Sequence, residues 1–266
     1  MKSRTLRTPS TLRTLRTGLV WLVYAFLYVP ILVVIVYSFN DARYTTEWKG
    51  FTLKWYSALA ANGPLVDAAL NSLSVATLAA TIATVLGTLA AICIRRYRFP
   101  GRKVLHGCIY VLTVSPDIVM GISLLIFFIA MGVQLGFWTL LAAHVTLALP
   151  FVTVTVLARL AEFDEQLIEA ARDLGASEWR AFRHVLLPLA APAVAAGWLL
   201  SFTLSMDDVL VSFFVTGPTF EVLPLRVYSM VRLGVKPDIN ALSAVMFTVT
   251  IVLVLLAQTL TRTRRK

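Results

Sequence analysis

The sequence predicts an all-α membrane protein with six transmembrane helices. Three observations predict it. Of its 266 residues, 58% are hydrophobic and only 14% charged. Its apolar runs repeatedly reach the ~20 residues needed to cross a hydrocarbon layer ~30 Å thick. Its Lys and Arg residues gather in short segments between those runs, the pattern of a membrane topology signal. That pattern also disposes of nucleic acid as the partner of a chain with net charge +10, because the cations form no basic face.

The first span is expected at about 18–39, after an N-terminal segment (1–17) carrying Lys2, Arg4, Arg7, Arg13 and Arg16. Its apolar run is too long for the core of a cleaved signal and lacks a small-x-small cleavage site, so it is retained. The second, at 68–94, carries Ala76, Ala79, Ala80, Ala83, Gly87, Ala90 and Ala91, small residues that allow close helix packing. The third covers 104–131 and the fourth 135–158. The fifth covers 186–215 and the sixth 239–260, within a membrane domain of 18–260 and ahead of a tail at 261–266. The third and fifth exceed one crossing, which predicts tilt, kinks or extensions. Pro116, Pro150 and Pro192 lie in these runs, and each removes a backbone donor and can kink its helix.

Orientation follows from charge. The N-terminus, the 95–103 loop, the loop holding Glu169 and the tail alternate onto one side and hold 18 of the 24 Lys and Arg residues. The positive-inside rule puts that side, with both termini, in the cytoplasm. Two large segments, 40–67 and 217–238, then face outward. Trp48 and Trp55 in the first suit an interface anchor, a cation–π face, or a docking surface for an extracytoplasmic partner.

The loop at about 161–184 is polar where the chain is otherwise apolar. Leu167, Ile168, Ala171 and Leu174 keep a helical spacing. Asp164 is placed to cap a first helix and the early acids suit its N-terminus. Gly175 ends it, and Ser177 caps a second short helix near Glu178. An ordinary amphipathic loop would show the same local pattern.

Within the predicted spans the acidic residues are Asp117, Asp207 and Asp208, and no Lys or Arg accompanies them. A carboxylate in hydrocarbon costs roughly 2.5–3.5 kcal/mol on insertion scales, so it faces a cavity and serves function, or it pairs within the bundle. Carboxylates without an internal cation point to a cationic solute. Asp207 and Asp208 fall ~30 Å along the fifth span, in its outer half. Adjacent helical residues diverge by ~100°, so both face one point only if the helix breaks there. Ser205 would add a hydroxyl to the same lining. Cys93 and Cys108 read as small, buried, free thiols. His106, His144 and His184 show no metal-ligand spacing. No phosphate-cradling glycine loop or nucleophile elbow occurs, which argues against an enzyme.

The sequence Glu169-Ala170-Ala171, three further residues, Gly175, and later Leu187-Pro188 resembles the EAA loop of permease subunits in bacterial ABC importers. The Ile that the family places ahead of x-Leu-Pro is Val185 here. Longer stretches are similar to the C-type subunit of spermidine/putrescine importers. They include Lys54-Trp55-Tyr56-Ser57, Ser115-Pro116-Asp117-Ile118-Val119-Met120, the run from Asp173 to Glu178, the run from Ser201 to Asp208, and Phe214-Val215-Thr216-Gly217-Pro218. The resemblance implies a type I ABC importer permease fold with a cytoplasmic coupling-helix loop, in a bacterial inner membrane. It implies polyamine cargo, with Asp117, Ser205, Asp207, Asp208 and Trp55 along the path. Glu169, Ala170, Ala171, Gly175 and Glu178 would serve ATPase coupling. It implies a second, homologous permease, an ATPase dimer that binds the ATP and Mg, and a periplasmic polyamine-binding protein. A proton-driven transporter using Asp117 or Asp207, and a membrane anchor without transport, are the rivals from other classes.

Overall fold

Helical runs of apolar residues, stopped by Pro, Gly and charged pairs, dictate an all-helical chain. The computed structural model describes residues 10–42, 47–163, 166–232, 238–249 and 251. The helices are α1 (Ser10–Tyr37), α2 (Lys54–Ala61), α3 (Gly63–Arg96), α4 (Arg102–Val114), α5 (Asp117–Ala130) and α6 (Phe137–Ala161). They continue with α7 (Gln166–Asp173), α8 (Glu178–Ala181), α9 (Leu187–Asp207), α10 (Leu210–Val215), α11 (Leu223–Arg232) and α12 (Asp238–Val249). Four stretches are long and apolar enough to cross a membrane: Arg16–Tyr37, Gly63–Arg96, Phe137–Ala161 and Glu178–Asp207. The last is continuous because a π-helical turn, Phe182–Leu186, joins α8 to α9.

The predicted third span is bent. Its halves, α4 and α5, meet at 114°, with Ser115 and Pro116 in extended conformation between them. Pro116 forces this, since its ring disfavours helical geometry in the residue before it. Pro150 and Pro192, by contrast, stay inside the continuous helices α6 and α9. The predicted fifth span ends early, at Asp207. Asp208 is extended, and α10 resumes the chain. Of the predicted sixth span, α12 covers the first part, and most of 250–260 lies outside the described residues, as does the tail.

The chain divides into two compact units. One joins Met1–Gly63 to Met230–Lys266 and the other is Pro64–Ser229. In the first, α1 leaves nearly all its described side chains exposed. The loop after it is tied to buried Asn40. The Asn40 side chain donates to the Glu47 carbonyl (2.6 Å) and accepts from the Lys49 amide (2.9 Å), beside an antiparallel bridge between Asn40 and Phe51. Phe39 stacks on Phe51.

The second unit has two core clusters. Ala83, Ala91, Ile92, Val152, Val156, Leu160, Leu186 and Ala190 join α3, α6 and α9 at one level. Val75, Phe128, Leu140, Val211 and Val215 join α3, α5, α6 and α10 at the other. The small-residue stripe of α3 permits this. Ala76, Ala79, Ala80 and Ala83 are fully buried, and a Cβ added to Gly87 would stand 2.8 Å from Val152. The cysteines depart from expectation, since both are exposed. An apolar run meant for lipid keeps part of its surface outside the protein core, and these thiols lie on that part.

Candidate functional site

The polar loop folds as helix, glycine turn, helix. α7 ends on a set of closing bonds: Leu174 N donates to Ala170 O (3.2 Å), Gly175 N to Arg172 O (2.8 Å) and Ala176 N to Ala171 O (3.0 Å). Gly175 has φ +84, the left-handed geometry that glycine adopts without a Cβ penalty. Ser177 then caps α8, its side chain accepting from the Arg180 amide. Asp164, the expected cap of α7, lies outside the described residues.

The motif is fastened on one side and open on the other. Ile168, Phe163 and Phe182 pack against the α3–α6–α9 core. Leu174 is 90% exposed, and Leu167 and Trp179 are exposed too. These apolar groups are turned outward on an otherwise polar loop. Ala170 is exposed and Ala171 half-buried. Glu169 and Glu178 line a cavity of about 290 Å³ with Arg95, Arg96 and Arg172. Glu178 accepts from Arg96 at 2.7 Å and also pairs with Arg172. Arg96 ends α3, so Glu178 ties the second short helix to both α3 and α7.

At the other level, the α9–α10 break is closed by polar groups from three helices. His144 of α6 is 2% exposed. Its Nδ1 lies 2.6 Å from Ser205 Oγ, and its Nε2 lies 3.0 Å from Ser212 Oγ and 3.4 Å from Asp208 Oδ2. Ser212 donates its hydroxyl and its amide to Asp208 Oδ2, at 2.9 and 2.7 Å. The Val211 amide donates to Oδ1 at 3.2 Å. Asp208, one residue ahead of the N-cap Val209, therefore meets N–H groups that the start of α10 leaves unpaired. One assignment satisfies the chain. The Ser205 hydroxyl donates to Nδ1, Nε2–H donates to Ser212 Oγ, and Ser212 donates to the carboxylate. Ser, His and Asp in series also occur in hydrolytic triads. Here Ser205 is itself buried, closed to a substrate carbonyl, so the chain holds helices rather than attacks.

The predicted path residues divide accordingly. Ser205 and Asp208 are buried and joined through His144. Asp207, one residue earlier, is exposed, as is Asp117 at the first turn of α5. Neither takes part in the ion pairs among the described residues. Their segments meet: a Cβ on Gly121, one turn after Asp117, would stand 3.3 Å from Val211 Cα, just past the break. Trp55 lies in the other unit. Its indole N–H donates to the Asn40 carbonyl (2.8 Å), and the Lys54 ammonium sits 4.8 Å from its ring. Sequence reasoning weighed His144 only as a metal ligand and Arg96 only as a topology charge, and it passed over Ser212. The readable signal for this site lay in Asp208, an acidic residue just ahead of a helix start.

Comparison with known proteins shows the family of the chain. Residues 83–263 match the family described as binding-protein-dependent transport system inner membrane component. The chain is 53% identical to the spermidine/putrescine transport system permease protein PotC of Escherichia coli (strain K12) over 254 residues, 96% of each chain. It is 41% identical to the putrescine transport system permease protein PotI of the same organism over 228 residues, 83% of this chain and 81% of that protein. In fold it is similar to a chain in the crystal structure of a bacterial ABC transporter involved in the import of the acidic polysaccharide alginate. That likeness has TM-score 0.75, 16% identity and 98% coverage of both chains. With its all-helical unit and the family match across most of its length, this chain belongs to the inner-membrane components of binding-protein-dependent transport systems.

Proposed function

We propose that the chain is the permease subunit of an ATP-driven ABC importer that takes up polyamines, spermidine or putrescine. It crosses the inner membrane six times with both termini in the cytoplasm, and a second, homologous permease completes the passage. The Gln166–Ala181 segment docks on one of two cytoplasmic ATPase subunits, which bind the ATP and Mg; this chain holds neither. A periplasmic binding protein delivers the cargo to the outward segments. ATP binding draws the ATPases together, and the two coupling loops carry that movement into the bundle.

The observation that carries the cargo assignment is the exposed Asp207 at a helix break, without an ion pair among the described residues, in a chain so similar to spermidine/putrescine permeases. A carboxylate kept inside a span without a cation answers to a cation that passes. Asp117, on the segment that meets the break, extends the acidic lining. Multi-site, weak binding lets a polycation enter and leave. Trp55, with its ring already under Lys54, serves at the entrance, where delivery would exchange one cation for another.

The test is uptake of labelled spermidine by cells that lack their own polyamine import and express the whole importer, with putrescine as competitor. Wild-type protein accumulates label in an ATP-dependent manner. Asp207→Asn raises the apparent KM about tenfold with assembly unchanged. An assembled complex that hydrolyses ATP but neither binds nor accumulates polyamine overturns the assignment.

A further inference from the structure

We propose that His144 is the positioning residue of the transport passage: it clasps both sides of the α9–α10 break and so fixes where Asp207 presents its charge. The inference rests on the reading of Asp207 as a cargo-facing carboxylate.

The two serines that His144 touches lie on opposite sides of the break. Ser205 belongs to α9 and Ser212 to α10, 61 and 68 residues from His144. Between them α9 ends at Asp207 and α10 begins at Leu210, so the helical pattern is interrupted at Asp208 and Val209. A helix interrupted inside a membrane leaves carbonyls and amides that other groups must satisfy. Asp208 satisfies the α10 amides. Nothing in α9 or α10 alone fixes the angle between them. His144 supplies that constraint from a third helix, with its ring buried to 2% exposure.

The site around the ring is closed. Thr139, Leu140, Ala143, Val211 and Val215 are all buried beside this level of the bundle. Among the described residues, Asp208 is the only acidic group in contact with His144. An imidazole with two fixed partners and one carboxylate neighbour has a single rotamer that satisfies all three. The ring therefore holds the last turn of α9, which carries Asp207, against the first turn of α10, and so sets where Asp207 stands at the break. Asp208 does not compete for cargo in this arrangement, because both its oxygens are occupied within the chain.

The experiment measures spermidine uptake and ATP hydrolysis by the whole importer in proteoliposomes, for the wild type and for three variants at this position. Assembly is measured separately, as co-purification of both permeases and the ATPase. His144→Gln can keep an amide donor near the Nε2 position, and His144→Asn only a group near Nδ1. His144→Ala keeps neither. We expect all three to assemble. The apparent KM should rise about tenfold in His144→Ala, which loses both sides of the clasp, and about threefold in His144→Asn and His144→Gln, which each keep one side, with Vmax within about twofold. Ser212→Ala should raise KM alone but add little on top of His144→Ala, because the two share one contact. If the variants assemble and transport with wild-type KM, the positioning role is wrong. If all three fail to assemble, His144 is a packing residue and the proposal is equally overturned. Failure of wild-type protein to transport spermidine would instead strike the cargo assignment, while a shift of ATP hydrolysis with unchanged KM would place His144 in coupling.

Discussion

At the helix–turn–helix, Glu178 meets two guanidiniums with its side chain 55% exposed. At the α9–α10 break, Asp208 takes three donors and a His144 contact with its side chain 5% exposed. Both carboxylates join elements distant in sequence. The first does so where water competes, so the bonds are weak, exchangeable and salt-sensitive. The second does so where an unmet donor has no alternative, so each bond is costly to remove. The comparison teaches which region is built to move. On the function proposed above, a docking surface must yield to a partner, and a charge-lined passage must keep its charges aimed.

The sharpest way to break the comparison is through its glycines. Gly217, past the end of α10, has φ +74, and an added Cβ would stand 2.4 Å from the Leu135 carbonyl oxygen. Gly175 has φ +84 and nothing within 4 Å of such an atom. Gly217→Ala combines backbone strain with a clash against backbone that cannot step aside, an expected loss of about 3 kcal/mol or more. It should lower the thermal midpoint of the purified complex by several degrees and cut its yield. An unaltered midpoint would mean that the close approach of Gly217 to Leu135 is not a feature of the folded protein.

Gly175→Val comes next in size and should act differently. The strain, about 2 kcal/mol, is local to an open turn, so the midpoint should scarcely move. Uptake driven by the ATPase should fall about tenfold, because α8 leaves the turn in another direction and presents Trp179 wrongly relative to Leu174. Gly175→Asn, which tolerates the left-handed region, should keep most activity. Normal uptake by the Val variant would remove the turn from the coupling path. A large fall in the midpoint would show that the two glycines do the same work.

The difference between the regions also explains what the sequence disclosed. The helix–turn–helix was readable because its signals are local. Gly175 and Ser177 each act within a few residues of themselves, so the order of residues suffices. The bend at Pro116 was readable for the same reason, although its 114° was not. The break at Asp208 was half legible. Two adjacent carboxylates in one span required an interrupted helix to share a direction, and the structure shows an interruption but divides their roles, one exposed and one buried. His144 was invisible. Its partners lie more than sixty residues away, and a histidine inside an apolar run looks the same whether it is packed idly or bonded three ways. The exposed cysteines show the converse limit. Periodicity finds the apolar surface of a span without saying whether lipid or protein covers it.

The smallest expected effects come from the Glu178 pairs, and they discriminate within the exposed region itself. The Arg96 side chain is 18% exposed and that of Arg172 is 48% exposed. The Arg172 pair links α7 to α8 across a surface, where such pairs contribute ~0.5 kcal/mol and are screened by salt. The Arg96 pair is partly shielded and crosses from the end of α3, so its loss removes a polar tie between the loop and the bundle rather than between one short helix and the other. Arg172→Ala should therefore change uptake less than twofold at physiological salt, with any effect disappearing as salt rises. Arg96→Ala should lower uptake about threefold to fivefold and should raise the hydrolysis of ATP that is not accompanied by transport. The coupling ratio, measured as ATP hydrolysed per spermidine moved, reads this directly. Equal effects from the two substitutions would mean that Glu178 acts only by its charge. A larger effect from Arg172 would transfer the mechanical link from α3 to α7, and the loop would then be a unit that moves within itself rather than a lever fixed to the bundle.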